Sequence, residues 1–468
     1  MLNPADAAFL DRLAASCPPG LLRPAEPRDL EEPRGRFQGR AAAVAMPRDV
    51  AEVAALIRAC AAARVGVVPL GGGTGLVGGQ VKPDGPVPLV LSLARMRRVR
   101  AVLPDEEAVV VEAGATLAEL QAAAEAAGLV FPLSLAAQGS CTIGGNLATN
   151  AGGTQVLRYG NARDLCLGIE AVLADGSVLH GLKTLRKDNT GYDLRQLLIG
   201  SEGTLGIITA ASLRLFPRPA HVATAWLALP DPEAALALFG RMRAALGTDL
   251  SAFELIQRTG LDFLGRFMPD CRAPLDRGPW FVLAEVAAGR HADPRGGLES
   301  VLAEALEAGL ITDGVLAESL AQAAAIWRVR EAIPEAGRLR GAIASHDVSL
   351  PRSRIAQFLR AAGRRIAGIR QGLVINCFGH LGDGNLHYNL FPPDGDSPAA
   401  HRDIRDALSE AVHDLVHEMD GSISAEHGIG RLRRADLRRY GDPAKLAAMR
   451  AIKAALDPAG ILNPGAVL

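Results

Sequence analysis

Three glycine-rich clusters, all in the first half of the chain, constrain the fold more than any other feature. They are Gly71-Gly-Gly-Thr-Gly-Leu-Val-Gly-Gly79, Gln138-Gly-Ser-Cys-Thr-Ile-Gly-Gly-Asn-Leu-Ala-Thr-Asn-Ala-Gly-Gly153 and Gly200-Ser-Glu-Gly-Thr-Leu-Gly-Ile-Ile208. Loops of this kind let backbone N–H groups converge on an anion and let two chain segments close on a flat ligand. A single cluster reads equally well as a surface turn, but three in one domain exceed what turns require. Gly73-Thr-Gly75-Leu-Val-Gly78 does match G-x-G-x-x-G. The dinucleotide fold, however, needs a helix to begin at once so that its N-terminus faces the pyrophosphate. Here Gly79-Gln-Val-Lys-Pro-Asp-Gly-Pro follows, and the prolines preclude that helix, so a nicotinamide site is rejected. In the second cluster Ser140, Thr142, Asn146 and Asn150 supply donors and acceptors for a pyrophosphate, a ribityl chain or a ring edge.

The chain has 468 residues, too many for one core, so two or three domains are expected. Composition shifts at Phe216-Pro-Arg-Pro-Ala220, after which glycine loops thin out and long Ala/Leu helices appear. Before that point the pattern predicts a helix over 47–64, a strand over 65–70, a capping box at Thr116 and Glu119, a hairpin turning at Asp175-Gly176 and a strand over 206–215. After it, strands (222–229, 280–287, 373–379, 386–391) alternate with helices (232–246, 296–308, 352–368, 400–419), which reads as an antiparallel sheet covered by helices. The expected fold class is α+β. The expected organisation is an N-terminal helical segment (1–34), a cofactor domain (35–218), a substrate domain (219–454) and a C-terminal tail (455–468) that returns to the cofactor domain.

A formal net charge of −1 argues against a nucleic-acid partner, which requires a concentrated basic face. No apolar run reaches bilayer length, and the N-terminus lacks the basic-then-apolar pattern of a secretion signal. Six dispersed cysteines without a C-x-x-C pair read as reduced thiols, so a cytoplasmic location is expected.

The second half carries its own chemistry. His380-Leu-Gly-Asp-Gly-Asn-Leu-His387 joins two predicted strands through a tight turn, which brings the two imidazoles near each other. Glu426-His427-Gly428 follows Ser422-Ile-Ser424, read as a short strand. Glycine packed around ionisable residues at strand ends is poor core chemistry and good site chemistry. Two imidazoles and a carboxylate form the ligand set of an open zinc-type site, although manganese and iron also accept it.

Pro69–Gly79, Gly139–Gly153, Leu185–Leu194 and Gly200–Thr209 together resemble the FAD-binding domain of the vanillyl-alcohol oxidase/p-cresol methylhydroxylase flavoprotein family. With HxxGDGNxH and EHG added, the chain from about residue 35 onward resembles its D-2-hydroxyglutarate, D-lactate and glycolate dehydrogenase branch. The resemblance implies a two-subdomain FAD-binding domain of the p-cresol methylhydroxylase type plus an α+β cap domain. It implies FAD contacts from Gly71, Gly72, Gly73, Thr74, Gly75, Leu76, Gly78 and Gly79, and from Ser140, Thr142, Gly145, Asn146, Thr149, Asn150, Gly152 and Gly153. The third cluster and the tail would add Glu202, Gly203, Gly206, Ile207, Ile208 and Asn463. Some relatives attach the flavin through a histidine in the first loop; none is present here, so non-covalent FAD is implied. Asn463-Pro464-Gly465 matches the family's tail, but Ala466 stands where a lysine is usual.

The same resemblance implies His380, His387 and Glu426 as ligands of a divalent metal, His427 as the base, Asn389 as a substrate hydrogen-bonding group and Arg330 as the grip on a substrate carboxylate. D-2-hydroxyglutarate enzymes commonly place a threonine four residues after that arginine and a lysine in the D-[VL]-S-[LV]-P region; Pro334 and Ser345 stand there in this chain. Those two losses favour a monocarboxylic or bulkier D-2-hydroxy acid over one with a distal carboxylate. The expected reaction is oxidation of the hydroxy acid to a 2-oxo acid. Electrons would pass to an acceptor protein or quinone-linked carrier, since no second nucleotide site is visible, and a homodimer is compatible with the sequence. Rival readings are a flavoprotein oxidase using O2, an FAD-binding subunit of a glycolate-oxidase-like complex, and a metal-dependent hydrolase without flavin.

Overall fold

The computed structural model describes the backbone of residues 1–468 and every side chain but that of Ser16. It divides into two compact units. One comprises Met1–Gly152, Gly160–Arg218 and Glu426–Leu468; the other comprises Gly153–Tyr159 and Pro219–Ala425.

The first unit contains two α/β subdomains. In one, a four-stranded sheet runs in the order Leu22–Arg23, Val44–Ala45, Leu89–Ser92, Val67–Leu70, with the last three strands parallel. The predicted first helix spans Val50–Ala63. The Asp49 carboxylate starts it by accepting the Glu52 N–H, and Arg64 ends it in a left-handed conformation. Val53, Leu56, Ile57 and Cys60 on its apolar face are fully buried in the core of this unit. The other subdomain is an antiparallel five-stranded sheet, ordered Val99–Leu103, Ala108–Glu112, Ile207–Arg214, Cys166–Val172, Val178–Gly181. The last two strands form the hairpin expected at Asp175-Gly176, and Gly176 has φ +78°. The capping box is present too: Thr116 Oγ1 accepts from Glu119 N at 3.2 Å while Glu119 Oε2 accepts from Thr116 N at 2.9 Å.

The second unit is built on one seven-stranded, wholly antiparallel sheet. Its order is Asp313–Leu316, His221–Leu229, Trp280–Ala288, Leu250–Gln257, Val374–His380, Asn385–Phe391, Ala344–Ser349. Helices Arg258–Phe267 and Leu320–Arg340 bury Leu261, Phe263, Leu264, Ile326, Val329 and Ile333 against Trp226, Phe281, Phe378 and Phe391 of the sheet. An α+β cap with an antiparallel sheet covered by helices is therefore what the chain forms.

Two details depart from the sequence reading. Ser422-Ile-Ser424 is not a strand: only Ser422 pairs, in an isolated bridge with Ser349, because Gly421 packs its backbone on the Ser349 carbonyl and no further register exists. The helix expected from 400 begins at Arg405 and is preceded by a 3₁₀ stretch, Pro398–Ile404, with His401 outside helical geometry. Among the described residues, no helix is long and apolar enough to cross a membrane.

Candidate functional site

In the first unit the glycine clusters converge on one cavity. Its lining includes Gly71, Gly72, Gly73, Thr74, Gly75 and Gly79 from the first cluster, Thr142, Gly145, Asn146 and Thr149 from the second, and Glu202, Gly203, Gly206, Ile207 and Ile208 from the third. Asn463 and His427 line the same cavity. The walls close because side chains are missing where backbones meet. A Cβ on Gly71 would lie 2.7 Å from Thr142 Oγ1, and one on Gly72 would overlap the Ser140 carbonyl. Gln80 stiffens the loop from behind, its Nε2 donating to the Gly75 carbonyl at 2.7 Å. The lining is mostly backbone and small side chains, which fits a flat, phosphorylated cofactor such as FAD.

Glu202 is the one carboxylate in that wall, and it is not offered to the cavity. Its Oε1 accepts the Ile429 N–H and its Oε2 the Gly430 N–H, both at 2.8 Å. Burial pushes its pKa up, while those two N–H groups pull the other way. Asn463 Nδ2 donates to the Gly79 carbonyl at 3.0 Å and to the Glu202 carbonyl at 2.8 Å. These bonds tie the first loop, the third loop, the tail and the turn after His427 into one frame, and His427 projects from that frame.

Six residues assigned to the cofactor lie outside this lining: Leu76, Gly78, Ser140, Asn150, Gly152 and Gly153. The Ser140 hydroxyl donates to the Ala137 carbonyl, and Asn150 Oδ1 accepts the Arg163 N–H. Gly78 has φ +72°, and a Cβ there would run into the Phe37 ring at 2.6 Å. Pro69, Leu70, Val77, Gln80, Leu93, Ala113, Gly144 and Ala148 also line the cavity. Sequence reasoning passed over most of them because apolar and small residues beside a loop carry no chemical signal.

In the second unit the polar cluster sits at the ends of central strands. His380 closes Val374–His380 and His387 lies within Asn385–Phe391, their rings 5.7 Å apart. The turn between them is fixed by Gly384 N–H to the His380 carbonyl at 3.1 Å and by Asn385 Nδ2, which donates to Asp347 Oδ1 at 2.9 Å and to the Val348 carbonyl at 3.0 Å. Each histidine turns Nδ1 toward a buried carboxylate: His380 to Glu254 Oε1 at 2.6 Å, His387 to Asp347 Oδ1 at 3.7 Å. Glu254 also accepts from Arg330 Nε at 2.7 Å, and the Arg330 guanidinium lies 5.0 Å over the Phe378 ring. Burial would raise the Glu254 pKa, but the charges and hydrogen bonds of His380 and Arg330 outweigh it and hold the group at about 2. Burial pushes Asp383, in the turn, up to about 6.

Asn389 shares the sheet face of His387, two residues on, and stands opposite both Asn376 and Ser345. Asn376 is fully buried with neither amide atom hydrogen-bonded. Pro334 lies inside helix Leu320–Arg340. Ala425 N–H donates to the Asp347 carbonyl at 3.2 Å. Glu254 was not anticipated. Its signal is an acid inside the apolar run Ala252-Phe-Glu-Leu-Ile256, a pattern that means a buried partner.

Residues 41–181 match the family model described as "FAD binding domain", and residues 218–467 match "FAD linked oxidases, C-terminal domain". The mitochondrial D-2-hydroxyglutarate dehydrogenase of Bos taurus is 40% identical over 98% of this chain and 82% of its own length. D-2-hydroxyglutarate dehydrogenase of Xanthomonas citri pv. viticola is 39% identical over 96% of this chain and 94% of its own. A putative D-lactate dehydrogenase of Schizosaccharomyces pombe is 34% identical over 95% and 86%. Among solved structures, substrate-bound p-cresol methylhydroxylase superposes with a TM-score of 0.78 at 15% identity, covering 99% of this chain and 98% of that one, which is a likeness of fold.

Proposed function

This chain belongs to the FAD-linked oxidase family, and from that premise we propose that it is a dehydrogenase converting a D-2-hydroxy acid, of the D-2-hydroxyglutarate or D-lactate type, to the 2-oxo acid. The observation that carries the proposal is that His427 lines the same glycine-walled cavity that fits the flavin. A general base must lie within reach of the reacting hydroxyl while the neighbouring carbon faces the electron acceptor, and this placement supports both requirements. FAD, when bound, supplies the two-electron acceptor for the hydrogen on the hydroxyl-bearing carbon.

The chain's own residues would do the rest. An imidazole nitrogen of His427 takes the hydroxyl proton, a general-base task suited to a histidine side chain. The Glu202 carboxylate holds the Ile429 and Gly430 N–H groups, so the turn carrying His427 cannot swing away from the cavity. Arg330, with Nε committed to Glu254, grips the substrate carboxylate through its terminal nitrogens, and its planar fork suits that geometry. Asn389 hydrogen-bonds the substrate. His380, His387 and Glu426 would hold a divalent cation, with zinc the best match to two nitrogens and one oxygen and manganese or iron as alternatives. That cation would supply Lewis acidity toward the α-hydroxyl and carboxylate oxygens. The donor chemistry supports this set, because His380 is oriented through Nδ1 by a buried carboxylate, the arrangement expected of a metal-ligating histidine.

Anaerobic titration of the purified protein with D- and L-lactate, D-2-hydroxyglutarate and glycolate, followed by flavin absorbance, tests the proposal. D-isomers are expected to bleach the flavin, and His427→Ala is expected to slow bleaching by about 100-fold or more. Equal rates for L-isomers would remove the stereochemical assignment. Because Pro334 and Ser345 replace the two expected donors, D-lactate is expected to reduce the flavin at least as readily as D-2-hydroxyglutarate.

A further inference from the structure

We propose that Glu254 is the positioning residue of the metal centre: one buried carboxylate that fixes the ring of His380 with one oxygen and the guanidinium of Arg330 with the other. The role rests on reading His380 as a metal ligand and Arg330 as the carboxylate grip.

Glu254 lies in strand Leu250–Gln257 directly opposite His380, and one cross-strand step away Ile256 stands opposite Phe378. Its Oε1 is 2.6 Å from His380 Nδ1 and its Oε2 is 2.7 Å from Arg330 Nε. Arginine can only donate, so Oε2 is an acceptor and Glu254 sits beside a permanent positive charge as a carboxylate. Its other oxygen then also accepts, which makes His380 Nδ1 the donor. Metal ligation requires the neutral ring in place of the charged ring of the metal-free protein, and a neutral imidazole that donates through Nδ1 has its lone pair on Nε2. The same contact therefore selects the tautomer and sets the ring's direction. Arg330 is held at the other end of the carboxylate and packed over the Phe378 ring, so its terminal nitrogens keep a fixed direction relative to His380.

A purely structural ion network does not account for this arrangement. Glu254 is 1% exposed, flanked within its strand by Ala252, Phe253, Leu255 and Ile256. Apolar residues of similar volume in place of such a network often leave stability unchanged or raise it. What apolar residues cannot do is fix an imidazole tautomer and an arginine together.

The test uses the metal-stripped flavoprotein with Co2+ as probe, read by its visible ligand-field bands and by equilibrium dialysis. Wild type is expected to bind one equivalent. Glu254→Gln is expected to weaken binding by about 10- to 100-fold and to alter the band, with FAD content unchanged. Because that variant leaves Arg330 uncompensated, Glu254→Gln/Arg330→Met is measured alongside; it removes the stranded charge and is expected to show the same loss of Co2+ affinity. If wild type binds no Co2+, the metal reading falls and the proposal falls with it. If wild type binds while both variants match it in affinity and spectrum, the metal reading stands and Glu254 is only structural.

Discussion

The two units make their polar sites by opposite means. In the first, the cavity exists because side chains are absent: Gly71 and Gly72 let the first loop lie on the Thr142 hydroxyl and the Ser140 carbonyl, and a carbon added at either meets an atom already there. In the second, the strand ends are crowded with charge: His380, Glu254, Arg330, Asp347 and His387 occupy neighbouring positions of one sheet face and a covering helix, with Glu254 hydrogen-bonded to both His380 and Arg330 and Asp347 3.7 Å from His387. The first site should therefore fail by steric overlap and the second by uncompensated electrostatics.

The largest expected effect breaks the first site by size alone. Gly72→Val puts its side chain onto the Ser140 carbonyl and displaces the cofactor wall itself, so near-complete loss of bound flavin is expected. The purified variant should be colourless or nearly so by its flavin-to-protein absorbance ratio. Next comes Arg330→Met, which strips a charge partner from buried Glu254 and should cost about 3–5 kcal/mol of the second unit's stability, read in denaturant unfolding. Its flavin content should stay at the wild-type ratio. A parallel loss of flavin would mean the two sites are not built independently, and the contrast would collapse.

A smaller effect depends on pH. Asp383 has its folded pKa raised to about 6, so the protonated form is favoured in the fold. Stability from this group is fully present below the ordinary carboxyl range and is lost as pH rises through about 6. In metal-free protein Asp383→Asn should raise the melting temperature at pH 7.5 and leave it unchanged at pH 4, the gain being damped by solvent because the side chain is exposed. The smallest effect concerns Asn376, whose buried amide lacks partners. Asn376→Leu, close in volume, should stabilise the second unit by about 1 kcal/mol. If it destabilises instead, the amide is satisfied in solution by a group the contrast omits.

The two sites were also legible to different degrees. The cavity wall could be read directly, since a run such as Gly71-Gly-Gly-Thr-Gly encodes close approach in its own composition. Ser140 and Asn150, expected as cofactor donors, also bond nearby backbone, the Ser140 hydroxyl donating to the Ala137 carbonyl and Asn150 Oδ1 accepting the Arg163 N–H. The histidine pair was legible because only six residues and one turn separate the two. Glu254 was not, since 126 positions lie between it and His380 and only the order of strands in the sheet joins them. Arg330 was recognisable by resemblance, whereas its commitment to a buried glutamate was not.

Local order decided much from the sequence alone. The Thr116–Glu119 box and the Asp175-Gly176 turn each depend on residues within a few positions of one another, where spacing alone sets geometry. Only the tertiary structure decided which groups neutralise which: Glu202 with the backbone after His427, Glu254 with His380 and Arg330, Asn463 with two separate loops. Burying a charge is tolerated only where a partner already waits, and that partner can come from anywhere in the chain that the sheet order brings alongside.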